Sequence, residues 1–223
     1  MSSGVPEGSV LGPLLYFLFT ADLPTTDYNN IATITDDTWL LAVLRVPAVA
    51  SQRLQSHLTL LHNWFILWKI RVNPAKSARV TFTTRRVTCP PVLLHTTPIP
   101  VKHDVKYVGL HLDRQLSWRK HIQTKRQHLD LKLGAMSWLL VRRSQLSLPN
   151  QLLLYKCILK PLWTYGILLW GWAKPSHTQI LQGLQSKILR SLANAPWYVS
   201  NLQLHTDLGI PFVSAEIYRS SLL

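Results

Sequence analysis

The feature that most constrains this fold is a change of apolar period about halfway along the chain. From Ser117 onward apolar residues return every three or four positions. Trp118, Ile122, Leu129, Leu133, Met136 and Leu140 form one such stripe. That is the repeat of helices with one buried face, and further helices are expected over 150–172, 176–195 and 213–222. Upstream the texture is mixed. Leu54, Leu58, Leu61, Phe65 and Trp68 predict an amphipathic helix within 47–70, and an apolar helix is expected from the glycine-rich start to about 21. Between and beyond them lie short segments. ARVTFTT (78–84) alternates as a strand does, and the stretch from Cys89 to Asp113, punctuated by Pro and His-Asp, predicts two or three more. The expected fold class is α+β up to about residue 114 and nearly all helical after it, with a domain boundary near 115.

Charge divides at nearly the same place. The whole chain carries 24 Lys and Arg against 10 Asp and Glu, a formal net charge of +14. Residues 1–100 hold eight basic and five acidic residues, whereas 101–223 hold sixteen and five. A field this basic favours a polyanion, nucleic acid first, and the second half carries the grip. At 47% hydrophobic residues the chain has material for a core, which argues against wholesale disorder. Cys89 and Cys157 are far apart and form no CxxC, so a disulfide framework or zinc ribbon is not supported. The most apolar run, 161–173, is shorter than the ~20 residues a membrane span needs. With no signal peptide visible, an intracellular protein of nucleus or cytoplasm is expected.

Against this basic background one acidic pair stands out. Asp36 and Asp37 adjoin in ITDDT, flanked by β-branched and apolar residues. Two neighbouring carboxylates repel unless a cation sits beside them. Mg²⁺, which favours one or two carboxylates plus phosphate oxygens, is a common solution. A β-hairpin with the carboxylates at its tip is expected. An ordinary turn also accommodates the pair, because Asp is favoured there. Upstream, Gly4, Pro6, Glu7, Gly8 and Ser9 form an irregular loop running into the first helix. Its backbone N–H groups suit a phosphate or a plain helix-start turn equally. Lys76, in the Pro-broken turn RVNPAKS, is a candidate phosphate contact or a solvated turn lysine.

Taken in order, GVPEGSVLGPLLY, ITDDT, VNPAKSARVTF and VKYVGLHLD resemble the reverse transcriptase of non-LTR (LINE-type) retrotransposons. LLYKCILKPLWTYGILLWGWA, QSKILRSLANAPWYVSN and LHTDLGIP look like the jockey group. The resemblance covers essentially the whole chain. It implies a right-hand polymerase that copies RNA into DNA with two Mg²⁺ ions, here a partial palm (1–115) followed by a helical, basic thumb (116–223). On that basis Asp36 would be a metal ligand, with Asp37 assisting. Gly4 to Pro13, including Pro6, Glu7, Gly8 and Ser9, would lie beside the incoming nucleotide and template, and Lys76 near its phosphates. Tyr107, Gly109 and Leu110 would belong to the primer grip. Arg119, Lys120, Lys125, Arg126 and Lys132 would hold the nucleic-acid backbone. The implied partners are an RNA template, a DNA primer, their hybrid and deoxynucleoside triphosphates, with no membrane.

The pattern also breaks. The family's metal site needs an aspartate upstream of the Gly-x-Pro loop, and here only Met1, Ser2 and Ser3 precede Gly4. Asp22 and Asp27 are poor replacements. Glu7 stands where the family has Gln, and Ile34-Thr35 where it has an aromatic-Ala pair. The expectation is a truncated, inactive copy, a C-terminal fragment that folds marginally. The rival readings are a non-catalytic nucleic-acid-binding module using the basic helical half, and a protein-interaction or structural remnant.

Overall fold

The structure, a computed structural model, describes residues 9–34, 37–140 and 144–222. The chain divides into two compact units, one ending at His103 and one beginning at Asp104. The division lies before the 115 expected from texture. The reason is local: a hairpin that precedes Ser117 packs on the helices that follow it.

In the first unit, α1 (Leu11–Phe19) starts where Ser9 turns the chain. The Leu11 N–H donates to the Ser9 hydroxyl and the Gly12 N–H to its carbonyl. Strands β1 (Asn30–Ile34) and β2 (Asp37–Leu41) pair antiparallel, with Ile34 opposite Asp37. Helix α2 (Pro47–Leu67) begins with Pro at its first position, where the missing N–H costs nothing. Its buried line runs through Ser51, His57, Leu61 and Trp64. Leu54, Leu58 and Phe65 flank that line half-buried, and Trp68 lies just past the helix end, exposed. His57 is tolerated in the core because both ring nitrogens are used: Nε2 donates to the Pro24 carbonyl and Nδ1 accepts from Thr26. A two-residue pairing of β3 (Leu93–Leu94) with β4 (Thr97–Pro98) closes the unit, with Leu94 and Val92 buried.

The strand expected over 78–84 does not form. Arg79 alone bridges Val101, through its N–H to the Pro100 carbonyl and its own carbonyl to the Lys102 N–H. The segment alongside, Thr97–Lys102, contains Pro98 and Pro100, which have no N–H to offer a ladder. Alternation alone does not make a strand when the partner cannot donate.

The second unit opens with β5 (Asp104–Tyr107) and β6 (Leu110–Asp113), an antiparallel hairpin. Helix α3 (Arg119–Ala135) follows, then α4 (Ser137–Leu140). The predicted stripe is the observed one: Trp118, Ile122, Leu129, Met136 and Leu140 are buried, with Leu133 packed beside them. The single helix expected over 150–172 is broken into pieces. These are α5 (Leu148–Leu154), a π-turn (Tyr155–Leu159), α6 (Lys160–Thr164) and α7 (Ile167–Trp170). Pro161 lacks the N–H that a regular helix would direct to Cys157, so the helix widens ahead of it. Gly166, at φ 71°, then turns the chain. Helices α8 (Pro175–Leu192), α9 (Asn201–Asp207) and α10 (Val213–Ser221) complete the unit. Among the described residues no helix is long and apolar enough to cross a membrane.

A polar network ties α9 to α8. His205 is buried, donates from Nδ1 to the Ile210 carbonyl and stacks on Phe212 at 4.0 Å. Gln182 donates to His205 Nε2 and accepts from the Val213 N–H. Gln185 donates to the Tyr155 hydroxyl and the Pro211 carbonyl. The LHTDLGIP stretch is thus held by side chains of α8 whose polar atoms would otherwise be buried at a cost.

Candidate nucleic-acid interface

In the first unit, Asp37 stands exposed at the start of β2, opposite Ile34. Asp36 lies outside the described residues, as do Gly4, Pro6, Glu7 and Gly8. Ser9, the described member of that loop, supplies the hydrogen bonds that start α1. Lys76 is exposed on a turn shaped by Asn73, whose side-chain oxygen accepts from the Ala75 and Lys76 N–H groups. The segment after Lys76 reaches the hairpin: Phe82 stacks on Trp39 of β2 at 6.2 Å. Asp22, adjacent in sequence, is committed elsewhere. Its two carboxylate oxygens accept from the indole N–H groups of Trp64 and Trp68, each at 3.0 Å.

The described residues do not make a complete Mg²⁺ site. Asp37 is the one carboxylate they place at this hairpin, and no group of three His, Cys, Asp or Glu side chains able to hold a metal occurs among them.

The second unit supplies a better-defined constellation around the β5–β6 turn. Val108 and Gly109 both have positive φ, 46° and 73°, the left-handed pair that a two-residue hairpin turn requires. Gly109 suits that geometry; Val108, β-branched, does not, and needs external support. The Tyr165 hydroxyl provides it, donating to the Val108 carbonyl at 2.6 Å. A Cβ on Gly109 would lie 3.3 Å from the Tyr165 ring, and a Cβ on Gly166 would lie 2.5 Å from Leu110. Turn, tyrosine and glycine are thus fitted to one another. Lys125 of α3 sets its ammonium 4.8 Å above the same Tyr165 ring, a cation–π contact. Tyr165 and Gly166 have a sequence signal, a glycine inside an apolar run, but that run reads as one unbroken helix.

The cations around this hairpin reinforce each other's field. Burial, then Lys106, lowers the Lys125 pKa. Burial, with Lys120, Lys106 and Lys125, lowers that of His111. His121 is buried, and that burial together with Lys125 and His111 holds its ring at a pKa of about 4. Its Nδ1 accepts from the His111 N–H, and its Nε2 has no hydrogen-bond partner among the described residues. Both imidazoles are thus neutral at pH 7, leaving the positive charge to the lysines. Asp113 works differently. Burial alone would raise its carboxyl, but hydrogen bonds from Ser117 and Trp118 outweigh that and leave it below the usual range. Those bonds fix the turn into α3, where Leu116 and Trp118 have positive φ.

The five expected backbone contacts do not form one row. At ~100° per residue, Arg119 and Arg126 share one side of α3, Lys125 and Lys132 another, and Lys120 faces a third. Lys120 pairs with Asp104 of β5, and Arg126 with Asp130 at 3.5 Å. Arg119 and Lys132 are exposed, roughly 20 Å apart along the helix at 1.5 Å per residue. What Lys106, Lys120 and Lys125 share is His111 of β6, close enough to each for all three to lower its pKa.

Comparison with known proteins places these units in a family. The "Probable RNA-directed DNA polymerase from transposon X-element" of Drosophila melanogaster is 39% identical over 99% of this chain, which covers 25% of that protein. The "RNA-directed DNA polymerase from mobile element jockey" of Drosophila funebris is 36% identical over 97% of the chain and 25% of its own length. Its Drosophila melanogaster counterpart is 38% identical over 95% and 24%. The chain spans about a quarter of the length of these curated relatives. No protein-family profile matches it. No solved structure matches either. With this identity sustained along almost its whole length, the chain belongs to the family of RNA-directed DNA polymerases of jockey and related Drosophila mobile elements, as a homologue of about a quarter of such a protein.

Proposed function

We propose that this chain is the palm-to-thumb part of a mobile element's RNA-directed DNA polymerase. In that reading the second unit grips the RNA–DNA hybrid formed by template and primer. The observation that carries it is the sustained identity to jockey-type polymerases along 95–99% of the chain. The turn at Tyr107–Leu110, braced by Tyr165, and the lysines that surround His111 support the grip. Tyr107 and Gly109 face the primer side in this reading, and Leu110, buried in the core of the second unit, anchors the turn beneath them. Arg119, Lys120, Lys125, Arg126 and Lys132 meet phosphates on the sides of α3, where contacts carry no sequence preference. Lys106, absent from the family-based expectation, joins them. On the nucleotide side the proposed residues are Gly4, Pro6, Glu7, Gly8 and Ser9, with Lys76 toward the phosphates of a deoxynucleoside triphosphate.

Asp36 and Asp37 are the proposed Mg²⁺ ligands, for the two-metal nucleotidyl transfer the family implies. Two adjacent carboxylates are an incomplete set for a pair of ions. A polypeptide of these 223 residues, assayed alone, is therefore expected to bind hybrid without extending a primer. Primer extension on an RNA template with Mg²⁺ tests this: incorporation that disappears in Asp36→Ala would overturn the expected inactivity. The grip is tested separately by anisotropy of a labelled RNA–DNA hybrid. Lys125→Ala with Lys132→Ala should weaken binding about tenfold and reduce the salt slope by about two. A wild-type chain that fails to bind hybrid at low salt would defeat the reading.

A further inference from the structure

The loop between α8 and α9 displays Trp197 and Tyr198, 90% and 71% exposed, in edge-to-face contact at 6.0 Å. Exposed rings on a slack loop would mean little, but this loop is built. Arg190, in the last turn of α8, donates to the Pro196 carbonyl at 2.6 Å, the Val199 carbonyl at 2.8 Å and the Asn201 side-chain oxygen at 3.0 Å. The Val199 N–H closes a turn on Pro196, and Ser200 caps α9 by accepting from the Gln203 N–H. One guanidinium thereby fixes both ends of the segment that carries the rings. The rings are held in place before any partner arrives, which lowers the entropy lost on binding.

The same arginine leaves a charge behind. All three of its acceptors are neutral oxygens, so its positive charge is not compensated by them. Exposed Lys187 lies one turn earlier on α8. From Leu131 through Thr206 the sequence contains eight Lys or Arg and no Asp or Glu. A partner for this surface must offer flat apolar faces and negative charge together. An apolar protein face explains the rings but not the cations. A duplex explains the cations but keeps its base faces stacked. An unpaired strand has both free base faces and phosphates.

We propose that Trp197 and Tyr198 form a stacking platform for bases of a single-stranded nucleic acid, with Arg190 and Lys187 drawing its phosphates. The inference rests on the nucleic-acid reading of the second unit and adds a separate strand contact outside the β5–β6 hairpin and α3. Stacking accepts any base, so sequence preference is not expected.

The test uses the 223-residue chain and three labelled probes: oligo(dT), oligo(U) and a blunt RNA–DNA hybrid, titrated over a salt series. Trp197→Ala with Tyr198→Ala should weaken binding of at least one single strand roughly ten- to hundredfold, leave the hybrid within about twofold, and keep the salt slope. Trp197→Phe with Tyr198→Phe should retain single-strand binding within about threefold, since a ring face remains. Loss in either the DNA or the RNA arm supports the platform and identifies the strand. Loss in neither arm, with hybrid binding intact, overturns this inference alone. Equal loss for hybrid and single strand also overturns it. If the wild type binds no probe, the hybrid grip falls too. Self-association that the alanine variant abolishes, without single-strand binding, would replace the platform by a protein-binding surface.

Discussion

Asp22 illustrates how far a residue's type is from its role. As a carboxylate in an acid-poor chain it invites a catalytic reading, yet both of its oxygens accept indole N–H groups. Asp22→Ala should destabilise the first unit by about 1–3 kcal/mol in urea titration, with Asp22→Asn, which keeps one acceptor, losing less. His121 makes a second residue-scale case. Its folded pKa of about 4 lies below the ordinary 6.5, so the unfolded chain binds the extra proton between those values. Stability from this residue is thus fully present above pH 6.5 and is lost as pH falls toward 4. His121→Asn, which retains an acceptor for the His111 N–H, should flatten the fall in Tm across that window. The sequence places His121 on a helix but does not show that the ring is buried under Trp118 and Lys125. That depends on what packs over the helix.

At the scale of elements, periodicity found helices well and found their breaks badly. The stripe of α3 matches its buried face at Ile122 and Leu129, with Leu133 half-buried beside them, and misses only His121, because the apolar face of an isolated helix is a local property and a buried imidazole is not. The piece-wise path from α5 to α7 was not legible, although Pro161 and Gly166 were both visible. An apolar run buries well whether straight or kinked, and the requirement for glycine at the Gly166 turn comes from its positive φ and from Leu110, which leaves no room for a Cβ there. Gly166→Ala should accordingly cost about 2–4 kcal/mol, since it adds a left-handed Cβ within 2.5 Å of Leu110. Gly109→Ala should cost about 1–2 kcal/mol, chiefly through φ. Equal losses at the two sites, measured by chemical denaturation, would contradict this ordering. Segment 78–84 failed in the other direction: it alternates like a strand but faces prolines. Helix α9 carries a Ser200 cap that could have announced it, but at seven residues its period is too short to read.

At the scale of the whole molecule, charge is the property that travels from sequence to function most directly. A net +14, concentrated after residue 100, should give hybrid binding whose log Kd rises linearly with log salt, with a slope of about 0.9 per phosphate contacted. A salt-independent Kd would remove electrostatics from the account. The sequence by itself determined the α+β-then-helical order, the pairing of strands around the Asp36–Asp37 segment, the basic second half and the family. All of these follow from local period, composition and ordered motifs. Only the tertiary structure decided that the β5–β6 hairpin joins the helical unit, that Tyr165 braces its strained turn, and that Arg190 holds Trp197 and Tyr198 outward. The reason is physical. Each of those outcomes is a specific contact, across 57 residues for Tyr165 and Val108 and across a short loop for Arg190, won by packing and by pairing of polar atoms, and neither leaves a period in the chain.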